Sequence, residues 1–278
     1  MNAVTIEQTP VFTYKTDFLL NALMDGAHKS RRQGPGSEFY RKASFLSEPN
    51  PSRVDLARSL VDPFETLYVK TFRQRSELDV ITLADGSNSM LNGNKPTFTA
   101  NTLDCISKSI VAESDKPHHF LLTEKVHQLT DYEPDWSELI TELSEQPTVQ
   151  SATAFNEVQG SLPWQRSLIF LVSDFHWPAA QLKSVLTALS AHYVVPVIVW
   201  ANAETADYPL WRFVEVQDAE SAELHLLFNT PRQQRLIRQT FIQRKQFLNT
   251  LFSAYGFRPL WLAEPFSVQQ FNRYFLGE

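Results

Sequence analysis

The chain has a single cysteine, Cys105, among its 278 residues. That excludes an intramolecular disulfide and any metal site built from several cysteines. Its expected place is a helix, as a small buried apolar side chain. Long hydrophobic runs are missing as well. The longest, Leu168–Val172 and Tyr193–Trp200, are far too short to span a bilayer. The opening residues Met1–Glu7 have no basic stretch followed by an apolar one, so no secretory signal is expected. The chain is therefore expected in the cytoplasm, without a membrane span. Positive charge is not in excess: 25 Lys and Arg face 31 Asp and Glu, a net charge of −6, which argues against nucleic acid as the main partner. There is no phosphate-cradling Gly-x-x-x-x-Gly-Lys-Ser/Thr segment, no internal repeat and no low-complexity linker.

What is present is an ordinary globular composition, 43% hydrophobic and 20% charged, enough for a sizeable core. Apolar residues between 17 and 27 fall at roughly helical spacing. A Gly-Pro-Gly loop follows at 34–36, and the Pro49 and Pro51 turn ends an extended segment. Alternation near Leu67, Val69 and Phe72 predicts a strand. From Leu78 onward the pattern becomes strands alternating with helices. Strands are expected at Leu78–Ala84, His119–Thr123, Leu168–Ser173, Tyr193–Trp200, Trp211–Val216 and Phe257–Leu262. Helices are expected at Thr99–Glu113, Asp135–Leu143, Ala152–Leu162, Pro178–Ala191, Thr230–Tyr255 and Ser267–Phe275. Near-continuous apolar strands between helices imply an α/β fold: a doubly wound, mostly parallel sheet with helices on both faces. The expected organisation is an N-terminal extension, residues 1–65, packed on a main domain, residues 66–278.

The chemistry gathers where two of these strands end. Leu78–Ala84 runs into Asp85-Gly86-Ser87-Asn88-Ser89, and Leu168–Ser173 runs into Asp174. Both ends lie on the same edge of a parallel sheet, the edge where open α/β sheets carry their ligand sites. If the two strands are neighbours, two carboxylates converge beside two hydroxyls. An all-oxygen cluster of that kind suits Mg²⁺, Mn²⁺ or Ca²⁺. Without a cation the carboxylates would repel, and one would be pushed toward protonation.

Asp85-Gly86-Ser87-Asn88-Ser89 resembles the D-x-S-x-S motif of the von Willebrand factor A fold, its metal-ion-dependent adhesion site. Over roughly residues 25–275 the chain is similar to the MoxR-associated branch known as the domain of unknown function 58. Gly36-Ser37-Glu38-Phe39 with Arg41 resembles that family's G-S-E-F and arginine. Arg53-Val54-Asp55 with Ala57-Arg58 resembles its R-x-I-D-W segment and the A-R that follows. Leu67–Lys70 resembles its next strand, and Val172-Ser173-Asp174-Phe175 its second aspartate motif. The family tryptophan is replaced by Leu56, and its usual G-D by Asn50-Pro51-Ser52. The resemblance implies a von Willebrand factor A-like fold and a metal held by Asp85, Ser87, Ser89, Thr153 and Asp174. Thr148 is the alternative to Thr153. It also implies a non-enzymatic adaptor that works with a MoxR-type AAA+ ATPase to assemble, activate or insert metal into a client protein. One branch of the family serves methanol dehydrogenase maturation.

Two other functions fit the same residues. One is a metal-free structural scaffold. The other is a metal-dependent phosphatase or nuclease, against which Ser87 stands where an aspartyl-nucleophile enzyme needs a second aspartate. His118, His119 and His127 lack the companions of a zinc site. His176 is expected to pack beside the site's rim. Arg232, Arg235 and Arg238 recur at spacings of three on the long helix, which makes them a solvated or partner-facing stripe.

Overall fold

The computed structural model describes residues 10–16, 19, 38–44, 54–55, 59–60, 67–73, 77–145, 153–201, 211–217 and 224–277. Two compact units emerge, Met1–Gly26 with Leu78–Glu278, and Ala27–Glu77. The expected division after residue 65 differs from this. The strand Tyr68–Arg73 makes its pairing with Glu38–Ser44, so it groups with the smaller unit. In that unit the two strands, β1 (Glu38–Ser44) and β2 (Tyr68–Arg73), run antiparallel, and Val54 bridges to Val69. Apart from Leu19, the expected helix at 17–27 lies outside the described residues, as do the Gly34–Ser37 loop, the Pro49–Pro51 turn and residues Arg53 and Ala57-Arg58.

The main unit is built on a six-stranded sheet. Its strands in chain order are β3 (Asp79–Asp85), β4 (Lys116–Leu122), β5 (Val126–Leu129), β6 (Leu168–Ser173), β7 (Tyr193–Val199) and, last, β10 (Leu260–Leu262). A separate antiparallel pair, β8 (Arg212–Gln217) and β9 (Leu224–Asn229), precedes β10 in the chain. The sheet order is β10-β7-β6-β3-β4-β5, with only β5 antiparallel to its neighbour. Counted along the chain, that is the 3-2-1-4-5-6 order of a doubly wound sheet. Its direction reverses between β3 and β6, the crevice where such sheets place ligands. The expected α/β fold is therefore present.

Alternation along each strand separates two cores. Leu168, Phe170 and Val172 face one side of the sheet. There they meet α1 (Lys95–Ala112), α2 (Trp136–Glu145) and α5 (Gln269–Leu276) through Leu103, Ile106, Trp136 and Phe271. Ile169 and Leu171 face the other side and meet α3 (Ala179–Leu189) and α4 (Pro231–Ala254) through Leu182, Leu186, Leu248 and Phe252. Helix ends follow the caps in the sequence. Asp135 Oδ1 accepts the Glu138 N–H at 3.0 Å, and Thr230 Oγ1 accepts the Gln233 N–H at 3.2 Å.

Three expectations need correction. The expected helix at 152–162 is two short 3₁₀ turns, Thr153–Asn156 and Val158–Ser161. The first helix begins at Lys95, a full turn before Thr99, because Pro96 fits the opening turn where no N–H partner is needed. Strands β5 and β9 were not expected; β5 is a short edge strand whose residues are half-buried or exposed, so it carries no apolar run. Among the described residues, no helix is long and apolar enough to cross a membrane.

Candidate functional site

The register brings the two aspartates together. Ala84 pairs with Val172, so the ends of β3 and β6 lie level, with Asp85 closing one and Asp174 following the other. Gly86 fits here because the chain passes tight against β4. Its N–H donates to the Leu122 carbonyl at 2.8 Å, and an added Cβ would stand 2.8 Å from Thr123 Cγ2 and 3.2 Å from that carbonyl oxygen. Asp85, Ser87, Ser89 and Asp174 are 3%, 8%, 5% and 0% exposed.

Donors surround both carboxylates. Asp85 Oδ2 accepts from Ser173 Oγ at 2.6 Å and from Trp177 Nε1 at 3.0 Å, while Oδ1 accepts the Ser87 N–H at 2.9 Å. The Ser87 and Ser89 hydroxyls lie 3.1 Å apart. Asp174 Oδ1 accepts the His176 N–H at 3.2 Å. Asp174 Oδ2 accepts from the Lys95 ammonium at 2.8 Å, and the same Nζ donates to the Ser89 carbonyl at 3.1 Å. Lys95 is only 2% exposed.

Lys95 was not singled out from the sequence. A signal existed: a lysine at the first position of a helix opposes the helix dipole and has no acidic residue in that turn to offset it. A residue that breaks a local rule in this way marks a compensating interaction elsewhere, here Asp174.

The electrostatics separate the two carboxylates. Burial, and then the charge on Asp174, push Asp85 up to about 6 against the pull of the Ser173 and Ser87 donors. Burial alone would raise Asp174 too, but Lys95, His176 and the hydroxyl of Ser89 outweigh it and hold that carboxyl below its ordinary value. Of the two carboxylates Asp174 is the one more favoured as an anion, and the Lys95 side chain lies against it at 2.8 Å.

The loop after Asp174 is held from behind. Phe175 takes a left-handed conformation, φ 54°. Arg244 on α4 donates to the carbonyls of Phe175 and Trp177, the latter at 2.7 Å. Trp200 Nε1 donates to the Asp174 carbonyl at 2.8 Å, and its ring stacks on His176 at 5.7 Å, as a packing role for His176 requires.

Asp85, Ser87, Ser89 and Asp174, all expected to hold a metal, lie together at these strand ends. Thr153 stands on the 3₁₀ turn near the end of β4, its side chain exposed; the next residue, Ala154, donates to the Thr123 carbonyl at 3.1 Å. Thr148 lies outside the described residues. Among the described residues there is no group of three or more His, Cys, Asp or Glu placed to hold an ion. With Lys95 in place the site does not fit a resident divalent ion. A buried ammonium already occupies Asp174 Oδ2 and the Ser89 carbonyl, and it would compete with and repel a divalent ion at the same oxygens.

The three histidines have other partners. His118 Nε2 pairs with Asp79 at 2.8 Å, His119 Nε2 bonds the Tyr132 carbonyl at 3.0 Å, and His127 Nε2 lies 3.3 Å from Thr123 Oγ1. Cys105 is fully buried, its thiol directed at the Pro10 carbonyl at 3.2 Å.

No family model matches the chain, and no curated protein matches its sequence. Among solved structures, it is similar to an aerotolerance-related membrane protein from Bacteroides fragilis carrying multiple mutations to serine. That likeness has a TM-score of 0.34 at 15% identity, over 58% of this chain and 87% of the other. It is also similar to the conserved hypothetical protein BatB from Bacteroides thetaiotaomicron, with a TM-score of 0.32 at 15% identity, over 64% of this chain and 98% of the other.

Proposed function

We propose that the chain is a non-enzymatic protein-interaction module that works beside a MoxR-type AAA+ ATPase on a client protein in the cytoplasm. The observation that supports this best is the exposed face of α4. Leu236 and Ile242 are 48% and 57% exposed on a 24-residue helix whose buried residues, Leu248, Leu251 and Phe252, all lie in its last third. Arg232, Arg235 and Arg238 are exposed on the same stretch. Apolar side chains ringed by charge on an otherwise soluble helix are characteristic of partner surfaces. The MoxR-type partner follows from the resemblance of the Asp85–Ser89 and Val172–Phe175 motifs. The client, methanol dehydrogenase maturation among the candidates, follows from that resemblance alone.

An enzymatic reading has less support. Asp85 and Asp174 are buried and engaged by donors, so neither carboxylate is presented to a substrate. A metal-free scaffold is favoured by one observation, the Lys95–Asp174 pair that closes the turn on itself. The test is co-expression with the MoxR-type ATPase of the same cell, followed by size-exclusion chromatography. The adaptor reading expects co-elution, lost on Leu236→Glu with Ile242→Glu while the fold is kept. Failure of the native chain to co-elute would leave the scaffold reading.

A further inference from the structure

We infer that Lys95 is a tethered cation standing in for a metal: the Asp85–Ser89 turn is completed from within the chain, and a divalent-cation site is latent beneath it, opened only when the lysine is removed. The inference goes beyond the adaptor reading and does not depend on any partner.

Three observations converge on it. The Lys95 ammonium is 2.8 Å from Asp174 Oδ2 and 3.1 Å from the Ser89 carbonyl, so it draws on oxygens from both halves of the site. It lies at the first residue of α1, where a cation is unfavourable to the helix itself, so its position is set by the carboxylates. And the site is closed: the four oxygen-bearing residues are each at most 8% exposed, which leaves no outward position for a partner's carboxylate to complete a metal shell.

The charge is consistent with one monovalent cation. With Asp174 ionised and Lys95 protonated the pair is neutral. Asp85 is satisfied by neutral donors, the Ser173 hydroxyl, the Trp177 indole and the Ser87 amide. Removing the ammonium frees Asp174 Oδ2 and the Ser89 carbonyl, with Asp85 and the Ser87 and Ser89 hydroxyls at the same strand ends. That is an oxygen set of the kind hard divalent ions take.

The chemistry predicts a gain of binding on losing a positive charge, the reverse of a lysine that merely braces the loop. Mn²⁺ and Mg²⁺ titrations, followed by calorimetry and by thermal unfolding, should be run on the native chain, Lys95→Ala, Lys95→Met and Lys95→Ala with Asp174→Asn. The native chain is expected to bind neither ion at millimolar concentration and to keep its melting temperature in chelator. Lys95→Ala is expected to bind Mn²⁺ at least about tenfold more tightly than the native chain and to recover melting temperature as Mn²⁺ is added. Adding Asp174→Asn should abolish that gain. If Lys95→Ala does not fold without metal, Lys95→Met keeps the buried aliphatic stem, and refolding of either variant only with Mn²⁺ supports the inference. Saturable Mn²⁺ binding by the native chain that is lost on Asp174→Asn would overturn it, as would Lys95 variants that fold yet bind no ion. Loss of the ATPase partner would leave these results untouched.

Discussion

Among the described residues, buried lysine–aspartate pairs stand at each end of the parallel sheet, Lys15–Asp115 and Lys95–Asp174, and they differ in what surrounds them. At the end where β4 begins, Asp115 meets Lys15 at 2.8 Å, the Tyr14 hydroxyl at 2.6 Å and the Leu78 N–H at 3.0 Å. At the opposite edge Asp174 meets Lys95, also at 2.8 Å. Both aspartate side chains are 0% exposed, but Lys15 keeps 16% of its side chain in solvent and Lys95 only 3%. The first pair pins the segment before the sheet to the sheet, with a lysine that can turn to water. The second is sealed and shares its space with another carboxylate, Asp85. An equal distance therefore hides unequal consequences: one pair is a tie between segments, the other fills the centre of a site.

Removing one partner from each pair should expose that inequality. Asp174→Asn strands a buried ammonium, and Lys95→Met strands a buried carboxylate. Each is expected to cost about 3–5 kcal/mol in urea unfolding. Lys95→Met with Asp174→Leu should recover most of that loss, because no uncompensated charge remains.

The pH dependence of the whole unit must be separated before the two ends are compared. His119 is buried against Trp136, and burial lowers it to about 4 from 6.5. A histidine held neutral in the fold contributes fully above its unfolded value and loses that contribution as pH falls through the folded one. At 1.36 kcal/mol per unit, the contribution of His119 should fall by about 3 kcal/mol between pH 6.5 and 4, against an opposite trend from Asp85, which is raised to about 6. The difference in urea midpoint between the native chain and His119→Gln should change by that amount across the range, because Asp85 is common to both.

At the opposite end Asp115→Asn is expected to cost about 1–3 kcal/mol, since it keeps one oxygen for Tyr14 or Leu78 and Lys15 can reach water. An equal loss for Asp115→Asn and Asp174→Asn would break the contrast. Gly86→Ala should cost about 1–2 kcal/mol by pressing its Cβ on Thr123 and the Leu122 carbonyl. Its effect belongs to the site edge alone and should leave the Asp115 end unchanged by amide exchange.

Much of this is legible in the sequence, and what is not has separate physical causes. Leu168–Ser173 and Tyr193–Val199 could be read because strands buried on both faces are apolar throughout. Asp85 and Asp174 could be paired because parallel strands end on one edge. β5 was illegible because Val126-His127-Gln128-Leu129 is a half-exposed edge with no run to detect. The apolar stripe places the start of α1 at Thr99, because Lys95 and Pro96 break it. That four-residue error hid Lys95, the residue that decides what the turn holds. The role of Arg244 was hidden for a related reason: a periodicity reading assigns helical arginines to solvent, while this one reaches the Phe175 and Trp177 carbonyls across the fold.

The central claim is that an ammonium, and no metal, completes the Asp85–Ser89 turn. The most direct measurement is an anomalous difference map from native crystals grown in Mn²⁺. The account predicts no manganese peak between Asp85 and Asp174, and Lys95 Nζ in density against Asp174. A peak there, with Lys95 displaced toward solvent, would contradict it.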